Sequence, residues 1–89
     1  MSFKVLLHPK AARFLEKLDA SFKDRIIQNL KELEDFPEKG EHLMHSPFWR
    51  LRIGDYRAIY EIDNEESRVI VLFIGHRKDV YDDFSRLLD

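Results

Sequence analysis

The apolar run VIVLFI, residues 69–74, constrains the fold of this chain more than any other feature. It has no polar position, whereas a strand with one solvated face alternates apolar and polar residues. A strand without polar positions is typically covered on both faces or flanked by other strands on both sides. The run therefore predicts a strand at the centre of a sheet.

Two segments upstream of that run show the alternation that it lacks. They meet at Gly54-Asp55, which fits a two-residue type II′ hairpin loop with glycine first. Residues 64–67, NEES, form a second turn before the apolar run. The period of two predicts two strands that present one shared apolar face. That face comprises Trp49, Leu51, Ile53, Tyr56, Ala58, Tyr60 and Ile62.

The first half of the chain has a helical period instead. A short strand, residues 3–7, ends shortly before Pro9, which suits the first turn of a helix. Two apolar stripes with spacings of three and four residues predict an αα-hairpin that ends near Phe36. Residues 37–47, which hold two of the three prolines, are predicted to form a loop. The stripes comprise Ala11, Phe14, Leu15 and Leu18, followed by Phe22, Ile26, Leu30 and Leu33.

Together these elements predict one α+β domain that spans residues 1–89. Its order is β-α-α-β-β-β-α, with the helical hairpin packed on one face of a small, mainly antiparallel sheet. The spacing of Val80, Phe84, Leu87 and Leu88 indicates a short C-terminal helix. No segment has the pattern of a signal peptide or a membrane span, so we expect a cytoplasmic protein that does not bind membranes. The chain has no cysteine, which excludes disulfides and thiolate nucleophiles.

Three arginines occupy the other face of the predicted hairpin. Across a two-residue loop Arg52 lies directly opposite Arg57, and Arg50 lies two places along on the same face. The lengths of the two turns bring Arg77 to the same end of the sheet. Like charges placed so closely destabilise a sheet unless anions balance them.

The second turn also sets the register of the last two strands. If residues 64–67 form its loop, Tyr56 lies at the level of Gly75, and His76 touches the arginines. His76 is then a candidate for proton transfer. Tyr81 lies one helical turn beyond the last arginine, so its hydroxyl would reach the same area.

Two interpretations of the arginines stand side by side. Nearby carboxylates would neutralise them on a solvated face, or the arginines would bind nucleic-acid phosphates, which match the guanidinium fork. A net charge of −2 argues against a protein that coats nucleic acid without specificity. The candidate carboxylates are Asp55, Glu61, Asp63 and Asp79.

Other side chains in the same region have simpler interpretations. Trp49, Tyr56 and Tyr60 would serve as platforms for stacked bases. They alternate in phase with the apolar residues of the two strands, however, which favours a place in the core. His42 and His45 have a spacing that zinc sites use. Because no third ligand accompanies them, we expect no metal and no other cofactor.

Two motifs resemble the RelE/ParE superfamily of toxins from toxin-antitoxin modules. They are WRLRIGDYRAIYEI, residues 49–62, and VIVLFIGHRKDVYDDF, residues 69–84. In that superfamily a basic and aromatic hairpin leads to a hydrophobic strand and a motif of the form G-H-R-x-x-V-Y. The preceding strand and helical hairpin also fit, so the resemblance covers nearly the whole chain.

The resemblance implies the RelE-like branch, whose members are mRNA interferases: ribosome-dependent endoribonucleases that cut mRNA in the A site and inhibit translation. It implies catalytic roles for Arg57, Arg77 and Tyr81, and phosphate binding by Arg50 and Arg52. It also implies a RelB-like antitoxin as partner and operator DNA as a ligand of the complex that the two form. The alternatives within the superfamily are a ParE-like poison of DNA gyrase and an inactive binding module with the same fold.

The implied reaction is attack of a ribose 2′-OH on the adjacent phosphate, which needs a base for the hydroxyl proton. Some RelE-like members carry lysines where this chain has Arg50 and Arg52. An arginine stays protonated at any working pH and is a poor base. The candidates for the base are therefore Tyr81 and His76, or activation of the hydroxyl by its surroundings on the ribosome.

Overall fold

The computed structural model describes residues 2–78, which form two α-helices and a five-stranded sheet. Short 3₁₀ turns at Glu32–Glu34 and Pro37–Lys39 connect the second helix to the sheet. The elements are β1 (Lys4–Leu7), α1 (Pro9–Glu16), α2 (Ala20–Lys31), β2 (Glu41–His42), β3 (Phe48–Ile53), β4 (Tyr56–Asp63) and β5 (Arg68–His76). The predicted C-terminal helix lies outside the described residues. Neither α-helix within residues 2–78 could serve as a transmembrane segment.

The strand β5, which contains the apolar run, has a neighbour on each side in the order β1-β5-β4-β3-β2. It runs parallel to β1 and antiparallel to β4, and the other two pairs are antiparallel. The predictions of a central strand and of a mainly antiparallel sheet are therefore confirmed. The predicted loop over residues 37–47 is wrong in part, because Glu41 and His42 pair with Arg50 and Trp49 as an edge strand.

Both helices pack on one face of the sheet, as the apolar stripes predict. The first helix begins at Pro9 with His8 as its N-cap, whose Nδ1 accepts a hydrogen bond from the Lys10 amide at 3.1 Å. The buried residues between helices and sheet are Ala11, Leu15, Ile26, Leu30, Leu33, Leu51, Ile53, Ala58, Tyr60, Val69, Val71 and Ile74.

The hairpin of β3 and β4 has the predicted loop and register. Gly54 has a φ of +60°, and Asp55 has no positive φ, as a type II′ loop requires. The ladder places Arg52 directly opposite Arg57. The like-charge pair that the sequence predicted is therefore present in the fold.

A bulge in β5 changes the predicted register by one residue. Ile59 pairs with Phe73 and Tyr60 with Val71, so Leu72 is the extra residue on the bulged strand. The side chains therefore change faces there: Val71 belongs to the core beneath the helices, whereas Phe73 packs with Ile59 in a smaller cluster on the open face. The sheet thus has apolar side chains on both faces at its centre.

The same bulge moves the end of β5 relative to β4. Tyr56 pairs with His76 rather than with Gly75, which instead lies opposite Arg57. The predicted register is therefore wrong by one residue at the functional end of the sheet. The physical reason is the extra residue, since the second turn itself has the predicted pairing of Asp63 with Arg68.

The ion pair beside the second turn predicts a pH dependence of stability. Arg68 Nη2 donates to Asp63 Oδ2 at 2.8 Å, and this bond, followed by one from the Glu66 amide, lowers the pKa of Asp63. A depressed folded pKa stabilises the protein above the unfolded pKa, and the stabilisation is lost as the pH falls through the folded pKa. We expect Asp63→Asn to lower the melting temperature above about pH 5, by a margin that narrows below about pH 4.

Melting temperatures measured from pH 3 to pH 7 would check this expectation. The same substitution at the exposed Asp24 of α2 provides the control. Parallel curves for the unaltered protein and Asp63→Asn over the whole range would show that the pair does not stabilise the fold.

Candidate nucleic-acid interface

A cleft of about 750 Å³ opens where the ends of β3, β4 and β5 meet the chain before β2. It carries six cationic side chains, and Glu41 is its one acidic side chain among the described residues. We call it the arginine cleft. Its lining residues are Lys39, Gly40, Glu41, Arg50, Leu51, Arg52, Arg57, Arg77 and Lys78.

Strand geometry brings the four arginines together. Arg50 and Arg52 alternate along β3, and Arg57 faces Arg52 from β4. The amide of Arg77 donates to the carbonyl of Asp55 at 2.8 Å, which fixes the end of β5 against the hairpin loop. The structure therefore brings together all four arginines that the sequence predicted, although the register differs from the predicted one.

Arg57 lies at the electrostatic centre of this group. Partial burial lowers the pKa of Arg57, the nearby charges of Arg52, Arg50 and Arg77 lower it further, and Asp55 opposes them. Its Nη1 donates to the carbonyls of Gly54 at 2.7 Å and of Tyr56 at 2.9 Å, so the backbone holds the guanidinium in place. Mutual repulsion of the arginines is what a bound anion would relieve.

Carboxylates neutralise only part of this charge. Asp63 pairs with Arg68 instead, and the acidic partner in the cleft is Glu41, which pairs with Arg50 from the neighbouring strand. Within the described part of the chain, no carboxylate lies within 4.0 Å of the guanidinium of Arg52. Asp79, one of the predicted carboxylates, lies outside that part. The described residues therefore leave the cleft strongly positive.

His76 lies on the other face of the sheet from the arginines. It pairs with Tyr56 across β4 and β5, and the two rings meet edge to face at 6.1 Å. Tyr56 in turn packs on Phe14 and Phe22 of the helices at 5.9 and 6.0 Å. The expectation that His76 touches the arginines is therefore wrong, and the bulge in β5 is the reason. Tyr81 lies outside the described residues.

The aromatic residues of the hairpin belong mainly to the core. Tyr60 is fully buried, and Trp49 packs on it at 6.3 Å with nearly parallel rings. The ring of His42 stacks on Trp49 at 4.8 Å, and its Nε2 lies 2.7 Å from the Ser46 carbonyl oxygen. Among residues 2–78, no group of three or more histidine, aspartate or glutamate side chains is placed to hold a metal ion.

Sequence reasoning missed three charged residues of the cleft. Lys78 follows Arg77 directly in the sequence, and this adjacency could have predicted its place in the cleft. Lys39 and Glu41 lie in the segment predicted to be a loop. The pairing of β2 with β3 brings Glu41 to the cleft, and the hydrogen bonds of the Tyr60 hydroxyl to Pro37 and Gly40 hold the turn that carries Lys39. No local pattern marks a two-residue edge strand.

The sequence of this chain matches a known protein family. A family model described as the ParE toxin of the type II toxin-antitoxin system parDE matches residues 5–81. The toxin RelG of Mycobacterium tuberculosis is 47% identical over 30 residues, a match that covers 34% of this chain and 34% of the relative. The chain thus spans about a third of that relative's length in the alignment.

Solved structures share the fold over most of the chain. A chain of the toxin-antitoxin complex RelBE2 from Mycobacterium tuberculosis is 26% identical, with a TM-score of 0.75 over 86% of this chain and 100% of that one. A chain of the archaeal RelE-RelB complex from Pyrococcus horikoshii has the same identity and TM-score over 86% and 97%. The isolated RelE toxin of E. coli, 18% identical, shows the fold alone, with a TM-score of 0.74 over 99% and 100%.

Proposed function

This chain belongs to the ParE toxin family of type II toxin-antitoxin systems, and we propose that it acts as a RelE-like, metal-independent endoribonuclease on ribosome-bound mRNA. The observation that carries the proposal is the arginine cleft, which gathers four guanidiniums and two lysines around a single acidic side chain within the described residues. A site of this composition matches the phosphates of an RNA strand. The similarity to chains of the RelBE2 and RelE-RelB complexes, each 26% identical, supports the RelE-like branch of the family.

The proposed reaction forms a bond between the ribose 2′-oxygen and phosphorus and breaks the bond from phosphorus to the 5′-oxygen. The products are a cyclic phosphate and a free 5′-hydroxyl. Arg57 and Arg77 stabilise the charge that develops on the phosphorane, and Arg50 and Arg52 hold the flanking phosphates. Preorganised donors suit this role because Arg57 is already fixed by two backbone carbonyls.

Proton transfer is the remaining requirement of the proposed reaction, since the 2′-hydroxyl loses a proton and the leaving 5′-oxygen gains one. The orientation of His76 toward Tyr56 and the helices removes it from the arginines. Tyr81 is therefore the side chain that we propose for proton transfer, on the strength of its place in the G-H-R-x-x-V-Y motif.

An antitoxin is the proposed regulatory partner. The two structures that are 26% identical to this chain come from complexes described as RelBE2 and RelE-RelB. We propose that a RelB-like protein neutralises this toxin and that the complex of the two binds operator DNA. The ribosome and its mRNA are the proposed targets of the free toxin.

Cleavage of mRNA on ribosomes tests the proposal. We expect the purified chain, added to a reconstituted translation reaction, to cut the message within the A-site codon and to leave naked message intact. Primer extension maps the cut, and addition of EDTA at a level that ribosomes tolerate should leave the rate unchanged. Intact message at toxin concentrations equal to that of the ribosomes would contradict the proposal.

A poison of DNA gyrase is the second candidate, because the matching family model is described as the ParE toxin. A supercoiling assay with purified gyrase separates the two functions. Inhibition of supercoiling without cleavage of mRNA favours the gyrase poison. Failure in both assays favours an inactive binding module with the same fold.

A further inference from the structure

Lys39 lies on the rim of the arginine cleft but carries no role in the proposed reaction. It lines the cleft together with Glu41 and Arg50, on the side opposite Arg77. Its ammonium forms an ion pair with Glu32, and both side chains are about half exposed. An exposed pair of this kind contributes little stability, so Lys39 can exchange Glu32 for another anion at small cost.

The backbone that carries Lys39 is held by hydrogen bonds with one buried side chain. The hydroxyl of Tyr60, which is fully buried, donates to the Pro37 carbonyl at 2.7 Å and accepts from the Gly40 amide at 3.0 Å. A single core side chain thus binds both ends of the Pro37–Lys39 turn. Lys39 is therefore presented from a fixed backbone position.

Gly40 permits this close approach. A Cβ atom at that position would lie 2.5 Å from the carbonyl oxygen of Arg50 and 2.7 Å from the Tyr60 hydroxyl. Both distances are shorter than van der Waals contact, so a side chain there would push the turn away from β3. The glycine and the tyrosine together form a clamp, which we call the Tyr60–Gly40 clamp.

We propose that Lys39 is an additional phosphate-binding residue of the arginine cleft and that Tyr60 is its positioning residue. The cationic groups then form a track from the turn before β2, across β3 and β4, to the residues that follow β5, which spans three strand spacings or about 14 Å. A track of that length engages more than one phosphate of a single RNA strand. Bound RNA displaces Glu32 from Lys39. This inference rests on the proposed function, because RNA is taken as the ligand.

Binding of a short single-stranded RNA to the intact chain, measured at several salt concentrations, tests the inference without ribosomes. We expect Lys39→Ala to weaken binding about two- to fivefold and to reduce the slope of log K against log salt by about 0.7. Glu32→Gln should strengthen binding, because it removes the competing carboxylate. The matched control is Lys17→Ala, which removes an exposed lysine from the helical layer. This variant should bind RNA as the unaltered chain does.

A double variant separates positioning from general destabilisation. Tyr60→Phe should weaken RNA binding in the unaltered chain but add nothing in the Lys39→Ala background, with melting curves showing both variants folded at the assay temperature. Equal affinity and equal salt slope for Lys39→Ala and the unaltered chain would overturn the inference, as would unmeasurable RNA binding. Cleavage on ribosomes is a separate measurement. If cleavage fails, the RNA-binding measurements still decide whether Lys39 binds RNA phosphate.

Discussion

Arg57→Ala is expected to lower the rate of mRNA cleavage on ribosomes by about 10²–10³-fold, the loss typical of removing one preorganised donor from a developing oxyanion. Arg57 is the arginine on which the other three act electrostatically, and two backbone carbonyls hold it in place. The other three arginines are held at other positions of the sheet, so they cannot take the place of the lost guanidinium. The rate is measured by single-turnover cleavage on ribosomes loaded with one message.

The matched control is Arg13→Ala, which removes an exposed arginine from α1 and should leave the cleavage rate unchanged. Arg57→Lys should restore part of the rate, because it returns the charge without the planar fork. The alanine variant should keep its melting temperature within about 5 °C, since relief of repulsion offsets the lost hydrogen bonds. A loss of cleavage that follows a loss of folding would show a structural role for Arg57 instead.

Local rules were sufficient where the chain turns tightly. A two-residue loop with glycine first leaves only one register for β3 and β4, so the pairing of Arg52 with Arg57 followed from the sequence. The same rule assigned the arginines to the face opposite Trp49. The centre of the functional cleft was therefore predictable, because it depends on one hairpin and on the alternation of side chains along it.

Local rules failed where the sequence has no alternation. Every residue from 69 to 74 is apolar, so the pattern contains no sign of where the side chains change faces, and the extra residue Leu72 is invisible to it. The error then spread along β5 and placed His76 on the wrong face. Lys39 was missed for another reason. Its position depends on the hydroxyl of Tyr60, which is 21 residues away in the chain.

Leu33→Ala is expected to cause the largest loss of stability among these variants, about 2–5 kcal/mol in the free energy of unfolding. Leu33 is fully buried in the main core, from the 3₁₀ turn that follows α2. Its removal leaves a cavity between the helices and the sheet. Urea unfolding measures the loss, and an unchanged dependence on urea would show that the transition stays two-state.

The same substitution at Leu72 provides a matched control, because it deletes the same atoms from the bulge on the open face. Leu72 is half-buried and belongs to the smaller cluster with Ile59 and Phe73, so we expect a loss of about 1 kcal/mol. Equal losses at the two positions would contradict the smaller burial of Leu72 on the open face. In Leu33→Ala, RNA affinity per folded molecule should stay unchanged, because the arginine cleft is positioned by the hairpin and by Tyr60. The loss of stability in Leu33→Ala and the affinity for RNA then depend on different side chains.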